Sequence, residues 1–215
     1  MSTRNEFFER NGYLPLKRLI SNPEALYQPF PIDDEGNRKF GLIEYRSRGR
    51  IVTYPDEANQ VSGSYSRYHY PFYKELHYQL KPVLEMALGI DLLPTYFFDR
   101  FYGVGQVLER HIDRPSCEIS VSLQVSTNCD RQWPLWFQRP DGSEASVVMN
   151  DGDGVIYKGH DIEHWRDALP SRHGRRGRLW NKIRRRSDDT YHHQIFLHYV
   201  NAQGRYVEFA NDSPC

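Results

Sequence analysis

Residues 117–126 read Cys-Glu-Ile-Ser-Val-Ser-Leu-Gln-Val-Ser, and Ile119, Val121, Leu123 and Val125 alternate strictly with Ser120, Ser122 and Gln124. Successive side chains of a strand point to opposite faces. The stretch therefore predicts a strand with one apolar face and one face of small polar groups. Further β-prone pieces lie at 95–102, 135–138, 146–149, 154–157, 163–166 and 194–200, separated by turn residues. Short strands at this spacing predict a sandwich or a barrel, and a jelly roll is one such fold. The expected class is mainly β with flanking helices.

The chain before residue 94 reads differently. Phe72, Leu76, Leu80, Val83, Leu84, Ala87 and Leu88 recur at spacings of three and four, which predicts one apolar face of a helix over 71–88. Gly89 suits its C-terminal cap, and Pro82 should kink or split it. Ser21-Asn22-Pro23-Glu24 reads as a second helix start. Asp33-Asp34-Glu35-Gly36 signals a turn, and Ile51-Val52-Thr53-Tyr54 leaves room for a hairpin. The expectation is a single domain over 1–215, with 1–93 as helical and irregular support and 94–200 as the β core. Inserted in that core is an Arg-rich loop, 171–186, with seven Arg and one Lys. It reads as a solvated surface loop or as an anion-facing lid; its like charges and sparse apolar content predict mobility without substrate.

Composition sets outer limits. Lys and Arg number 28, as do Asp and Glu, and this balance weighs against a dedicated nucleic-acid binder. No apolar run approaches the ~20 residues of a membrane span, and the polar start at 1–10 lacks the apolar core of a secretory signal. Three Cys (Cys117, Cys129, Cys215) make no disulfide framework. A cytoplasmic location is the expectation.

The segment 101–113 carries the chemistry. His111 and Asp113 are two apart, so in an extended chain both side chains reach one ion. His164, beside a later strand, is the best third ligand, since a barrel returns later strands to earlier ones. Two His and one carboxylate on one face leave coordination positions open, the arrangement of non-haem Fe(II) oxygenases. Two rival readings stand beside it. One is a cupin-type metal enzyme that does not use 2-oxoglutarate. The other is a non-enzymatic β-barrel module whose Arg-rich loop binds nucleic acid or another polyanion. Among the other His, residues 69, 77, 160, 173, 192 and 193 read as ordinary polar positions, and His198 as an inward-facing neighbour of Gln194.

Arg100-Phe101-Tyr102 with Gly105, His111-Ile112-Asp113 and Glu163-His164-Trp165-Arg166-Asp167 resemble the Fe(II)- and 2-oxoglutarate-dependent dioxygenases, nearest to the prolyl-4-hydroxylase-like branch with its small bacterial and phage members. The resemblance spans roughly 94–200. It implies a double-stranded β-helix, a jelly-roll or cupin-like barrel, with Fe(II) held by His111, Asp113 and His164 and with 2-oxoglutarate and O2 as co-substrates. It implies hydroxylation of an unactivated C–H bond in an amino acid, a peptidyl residue or a small metabolite, with release of succinate and CO2. Tyr102 matches a co-substrate contact. The basic residue usual at the head of the last strand is replaced by Tyr191-His192-His193-Gln194, so Arg166 is the first choice for the carboxylate anchor and Arg172 the second, with Gln194 as a further contact. Arg114 and Trp165 are the expected substrate contacts.

Overall fold

The computed structural model describes residues 3–30, 41–47, 50–55, 60–173 and 188–211. Its helices are α1 (Thr3–Asn11) and α2 (Lys74–Leu88). Its strands are β1 (Tyr13–Leu16), β2 (Leu42–Ser47), β3 (Arg50–Pro55), β4 (Tyr65–Tyr68), β5 (Leu92–Gly103), β6 (Leu108–His111), β7 (Ile119–Thr127), β8 (Leu135–Gln138), β9 (Glu144–Val147), β10 (Gly154–Tyr157), β11 (His164–Arg166) and β12 (Tyr191–Asn201). Most of the Arg-rich loop, 174–187 with Trp180, lies outside the described residues, as do the turn at 33–36 and Cys215.

Two sheets form. The larger has the order β1-β10-β7-β12-β5-β4-β2-β3 and the smaller β6-β11-β8-β9. The strands β5 to β12 divide four and four between them, which is the double-stranded β-helix, or jelly roll, expected from the sequence. Strands β2 and β3 make the hairpin, in antiparallel register from Leu42↔Pro55 to Ser47↔Arg50.

The alternating stretch becomes β7, and both of its faces are buried. Ile119, Val121, Leu123 and Val125 join Phe8 of α1, Leu76, Leu80, Leu84 and Leu88 of α2, and Ile195 and Leu197 of β12 in one core outside the barrel. Fully burying each such side chain contributes about 1.5–3 kcal/mol, so the helices are fixed by the face that β7 offers them. Ser120 and Ser122 turn the other way, beside a second core between the sheets that includes Leu108, Phe137, Tyr157 and Phe196.

Several local expectations need correction. Helix α2 runs unbroken through Pro82, which sits on its exposed side. Phe72 and Val83 do not share the buried face: they are 48% and 39% exposed. Phe72 lies in the 3-10 turn Pro71–Tyr73, where Tyr73 takes the inward position. Gly89 does cap α2, with φ 70° and its N–H on the Glu85 carbonyl. The helix start at Pro23 yields only a 3-10 turn, Pro23–Leu26, because Pro29 and Pro31 follow and bias the residues before them away from helix. Helix α1 was not anticipated. It is held by tertiary contacts: Phe8 is buried and the Asn5 amide donates to the Leu88 carbonyl.

Asp99 ties β4, β5 and β12 to the start of α2. It is fully buried and accepts from Arg67, from the Tyr73 hydroxyl (3.1 Å) and from His193 Nε2 (2.8 Å). His77 is a second buried link, donating Nε2–H to the His198 carbonyl at 2.9 Å. Burial pushes the His77 pKa down to about 4, against the opposing pull of that hydrogen bond. The unfolded chain, with an ordinary His pKa near ~6.5, binds the proton first, so stability falls as pH drops from about 6.5 to about 4. At ~1.36 kcal/mol per pH unit, this one group accounts for roughly 3 kcal/mol. Urea unfolding of the metal-free protein at pH 7 and pH 4 should show a clearly smaller acid loss for His77→Gln than for the parent; equal losses would remove His77 from the account.

Candidate active site

Strand pairing builds the site. β6 and β11 are antiparallel neighbours, and His111 is the direct cross-strand partner of His164. Their rings lie 4.2 Å apart. Asp113 lies two residues beyond the end of β6, where its N–H bonds to the Gly159 carbonyl at 2.8 Å. Asp113 Oδ1 then stands 3.4 Å from His111 Nε2 and 3.6 Å from His164 Nε2. The three donor atoms are within 4.8 Å of one another.

Hydrogen bonds set the tautomers. His111 Nδ1 meets the Glu109 carbonyl at 2.6 Å and His164 Nδ1 meets the Ile162 carbonyl at 3.2 Å. A carbonyl accepts only, so each Nδ1 carries a proton and each Nε2 faces the centre, where with a proton it donates to Asp113 Oδ1 and without one it offers its lone pair to a metal. Burial works against charge on Asp113, but the imidazoles of His164 and His111 hold its carboxyl far below the usual range. Two imidazole nitrogens and one ionised carboxylate oxygen, held through their outer hydrogen bonds, form a donor set for a divalent transition metal.

These residues open into a cavity of about 610 Å³, which is lined also by Arg166, Arg100, Arg114, Tyr68, Tyr96, Phe98, Phe196 and His198. Arg166 shares a face of β11 with His164 and is 1% exposed. One Nη donates to the Trp133 carbonyl; the other has no hydrogen-bond partner. Burial lowers its pKa to about 10, and only the neighbouring Tyr102 and Tyr157 hydroxyls work against that. Glu163, a conceivable ion-pair partner, is engaged by Arg110 at 2.6 Å. Tyr102 and His192 both pack edge-on against Trp133, whose ring also lies under the Arg166 guanidinium. The buried His192 Nε2 makes no hydrogen bond, and the buried Tyr102 hydroxyl faces the Arg100 and Arg166 guanidiniums. The free Arg166 Nη and His192 Nε2 thus lie with the Tyr102 hydroxyl around Trp133, a cluster of polar groups whose needs an anion would meet.

Other expected site residues lie elsewhere. Trp165 alternates with His164 and Arg166, so strand parity turns it to the outer face, where it stacks with Trp136 and lies under Arg110. Arg172 pairs with Asp189 at 3.0 Å at the surface. Gln194 is buried with both amide atoms lacking partners, but it does not line the cavity. Arg114 does line it, stacked over Tyr96 at 4.5 Å. Cys117 is a buried free thiol whose pKa burial pushes up, so it is no nucleophile. Sequence reading missed Trp133, His192 and Arg100. The signal for His192 was its place at the head of the last strand, where a basic residue was sought.

No protein-family model and no curated protein matches the sequence. Solved structures do match. A prolyl-4-hydroxylase of Pseudomonas putida superposes with a TM-score of 0.55 at 13% identity, over 92% of this chain and 96% of that one. An oxidoreductase of the 2OG-Fe(II) oxygenase family from Burkholderia pseudomallei gives 0.58 at 9% identity, over 92% and 90%. HygX of Streptomyces hygroscopicus, solved with nickel and 2-oxoglutarate bound, gives 0.58 at 8% identity, over 94% and 88%. The fold is that of the 2-oxoglutarate- and iron(II)-dependent oxygenases. In this oxygenase fold the chain places its own His-Asp-His cluster on β6, the turn after it, and β11.

The donor set predicts one divalent ion per chain. Titration with Co(II) should saturate at one equivalent, and His111→Ala should lose that binding while the far-UV circular dichroism stays unchanged. A variant that still binds one equivalent with parental affinity would remove His111 from the centre.

Proposed function

We propose that this chain is an oxygenase that uses Fe(II), 2-oxoglutarate and O2 to hydroxylate an unactivated C–H bond of an amino acid, a peptidyl residue or a small metabolite, with release of succinate and CO2. One observation carries the reading. A single cavity holds both a two-His, one-carboxylate donor set and a buried guanidinium with no acid partner among the described residues.

His111 Nε2, His164 Nε2 and Asp113 Oδ1 would hold the metal. When bound together, iron and 2-oxoglutarate supply an oxidant strong enough to take hydrogen from carbon, with decarboxylation of the co-substrate. The protein's own residues bind, orient and exclude water. Arg166 pairs with the far carboxylate of 2-oxoglutarate. A buried cation without a partner costs several kcal/mol, and a carboxylate reaching Arg166 from the cavity supplies the missing charge. The Tyr102 hydroxyl and His192 Nε2 add hydrogen bonds at the same end. Tyr68, Tyr96, Phe98 and Phe196 make the aromatic wall that keeps water from the reacting bond, and Arg114 meets the substrate at the mouth.

Arg166→Ala should weaken 2-oxoglutarate binding at least tenfold in the Mn(II)-loaded protein kept free of oxygen. That is the minimum set by losing ~1.5–3 kcal/mol of charged hydrogen bonding. Calorimetric titration reads the affinity. Parental affinity in Arg166→Ala, with loss in Arg172→Ala instead, would move the anchor to the loop. Succinate formation by the iron-loaded parent, read by mass spectrometry, separates this reading from a cupin-type enzyme that does not consume 2-oxoglutarate.

A further inference from the structure

The two oxygens of Asp113 face different partners. Oδ1 faces the two imidazoles. Oδ2 accepts from the Ser120 hydroxyl at 3.2 Å. The same hydroxyl oxygen is 3.0 Å from His198 Nδ1 and 3.2 Å from the Cys117 carbonyl. Ser120 is fully buried and His198 is 3% exposed. His198 Nε2 has no hydrogen-bond partner, and the residue lines the cavity, with its ring stacked on Tyr96 at 4.5 Å.

A serine hydroxyl has one proton and two lone pairs. If His198 Nδ1 were bare, it would compete with Asp113 Oδ2 for that proton. If His198 carries its proton on Nδ1, it donates to Ser120, and the Ser120 proton is left for two oxygens at 3.2 Å, the Cys117 carbonyl and Asp113 Oδ2, of which the charged carboxylate is the stronger acceptor. The second arrangement satisfies the buried carboxylate oxygen, and it fixes His198 Nε2 as a bare acceptor toward the cavity. Gly159 gives separate support. A Cβ there would lie 2.5 Å from Ser120 Oγ, 2.6 Å from Asp113 Oδ2 and 2.6 Å from the Cys117 carbonyl oxygen. Only glycine allows the chain so close to this link.

We propose that Ser120 and His198 are positioning residues that hold the non-coordinating oxygen of Asp113 and connect it to the substrate wall, where His198 Nε2 accepts a hydrogen bond from an N–H or O–H group of the substrate. This rests on Asp113 being a metal ligand, as proposed above. A donor on Nε2 locks the Nδ1–H tautomer and with it the Ser120–Asp113 bond, so an occupied cavity steadies the metal carboxylate. The substrate class that fits carries an amide, amine or hydroxyl hydrogen beside a surface flat enough to lie on Tyr96 and Phe98.

The test is Co(II) affinity in four variants, with folding checked by circular dichroism and thermal melts. Ser120→Ala and His198→Phe should bind Co(II) about 10–100-fold more weakly, the usual effect of removing a group that orients a ligand. His198→Asn, whose amide nitrogen takes the place of Nδ1, should recover most of the affinity. Nitrogen-15 NMR of the metal-free protein should show His198 Nε2 unprotonated. Parental affinity in both Ser120→Ala and His198→Phe, or a proton on Nε2, overturns the proposal. Asp113→Ala separates it from the reading beneath. If Asp113→Ala binds Co(II) normally, the metal assignment fails; if it loses binding while Ser120→Ala does not, only the link fails.

Discussion

The pairing of β6 with β11 sets everything else in the site. It places His111 directly opposite His164 across one ladder step. Side chains alternate along a strand, so a slip by one residue would turn one imidazole to the outside of the sheet. The register is guarded on both sides. β11 also pairs with β8, His164 against Phe137, and Phe137 is fully buried between the sheets. A bulge between His164 and Arg166 shifts the pairing so that Arg166 meets Leu108, yet both side chains stay on the inner face. One short strand therefore delivers a metal donor and a buried cation to the same cavity.

Charge explains why such a cavity is tolerable in a folded chain. Asp113 is buried among imidazoles that favour its ionised form, and its second oxygen is satisfied by Ser120. A divalent cation bound as proposed would complete that arrangement. Arg166 presents the opposite problem, a fixed cation whose pKa burial pulls down. Arg67, also buried, is answered within the chain by Asp99. At Arg166 no acid partner is found among the described residues, and an anion bound as proposed would offset that cost. The contrast between the two arginines is what favours Arg166 as the proposed anchor.

Much of this was legible in the sequence because parity is legible. The alternation over Ile119–Val125 located β7 and its polar inner face, and the spacing of two located His111 and Asp113 on one side. Parity also favoured Arg166, and the same rule, applied to Trp165, would have turned that side chain outward. What stayed hidden depends on contacts between distant segments. Trp133 gathers Tyr102, His192 and Arg166 from three parts of the chain, and nothing local to Trp133 announces that. Helix α1 has weak amphipathicity of its own and is held by Phe8 and by Asn5 on the end of α2. The helix expected at Pro23 failed for a local reason that was readable, the prolines that follow it.

The most direct measurement is a crystal structure of the chain grown without oxygen in Mn(II) and 2-oxoglutarate, with data collected for manganese anomalous scattering. The account predicts one anomalous peak touching His111, Asp113 and His164, with the far carboxylate of 2-oxoglutarate on Arg166 beside Tyr102. A peak held by other residues, or a co-substrate whose far carboxylate lies away from Arg166, would contradict it.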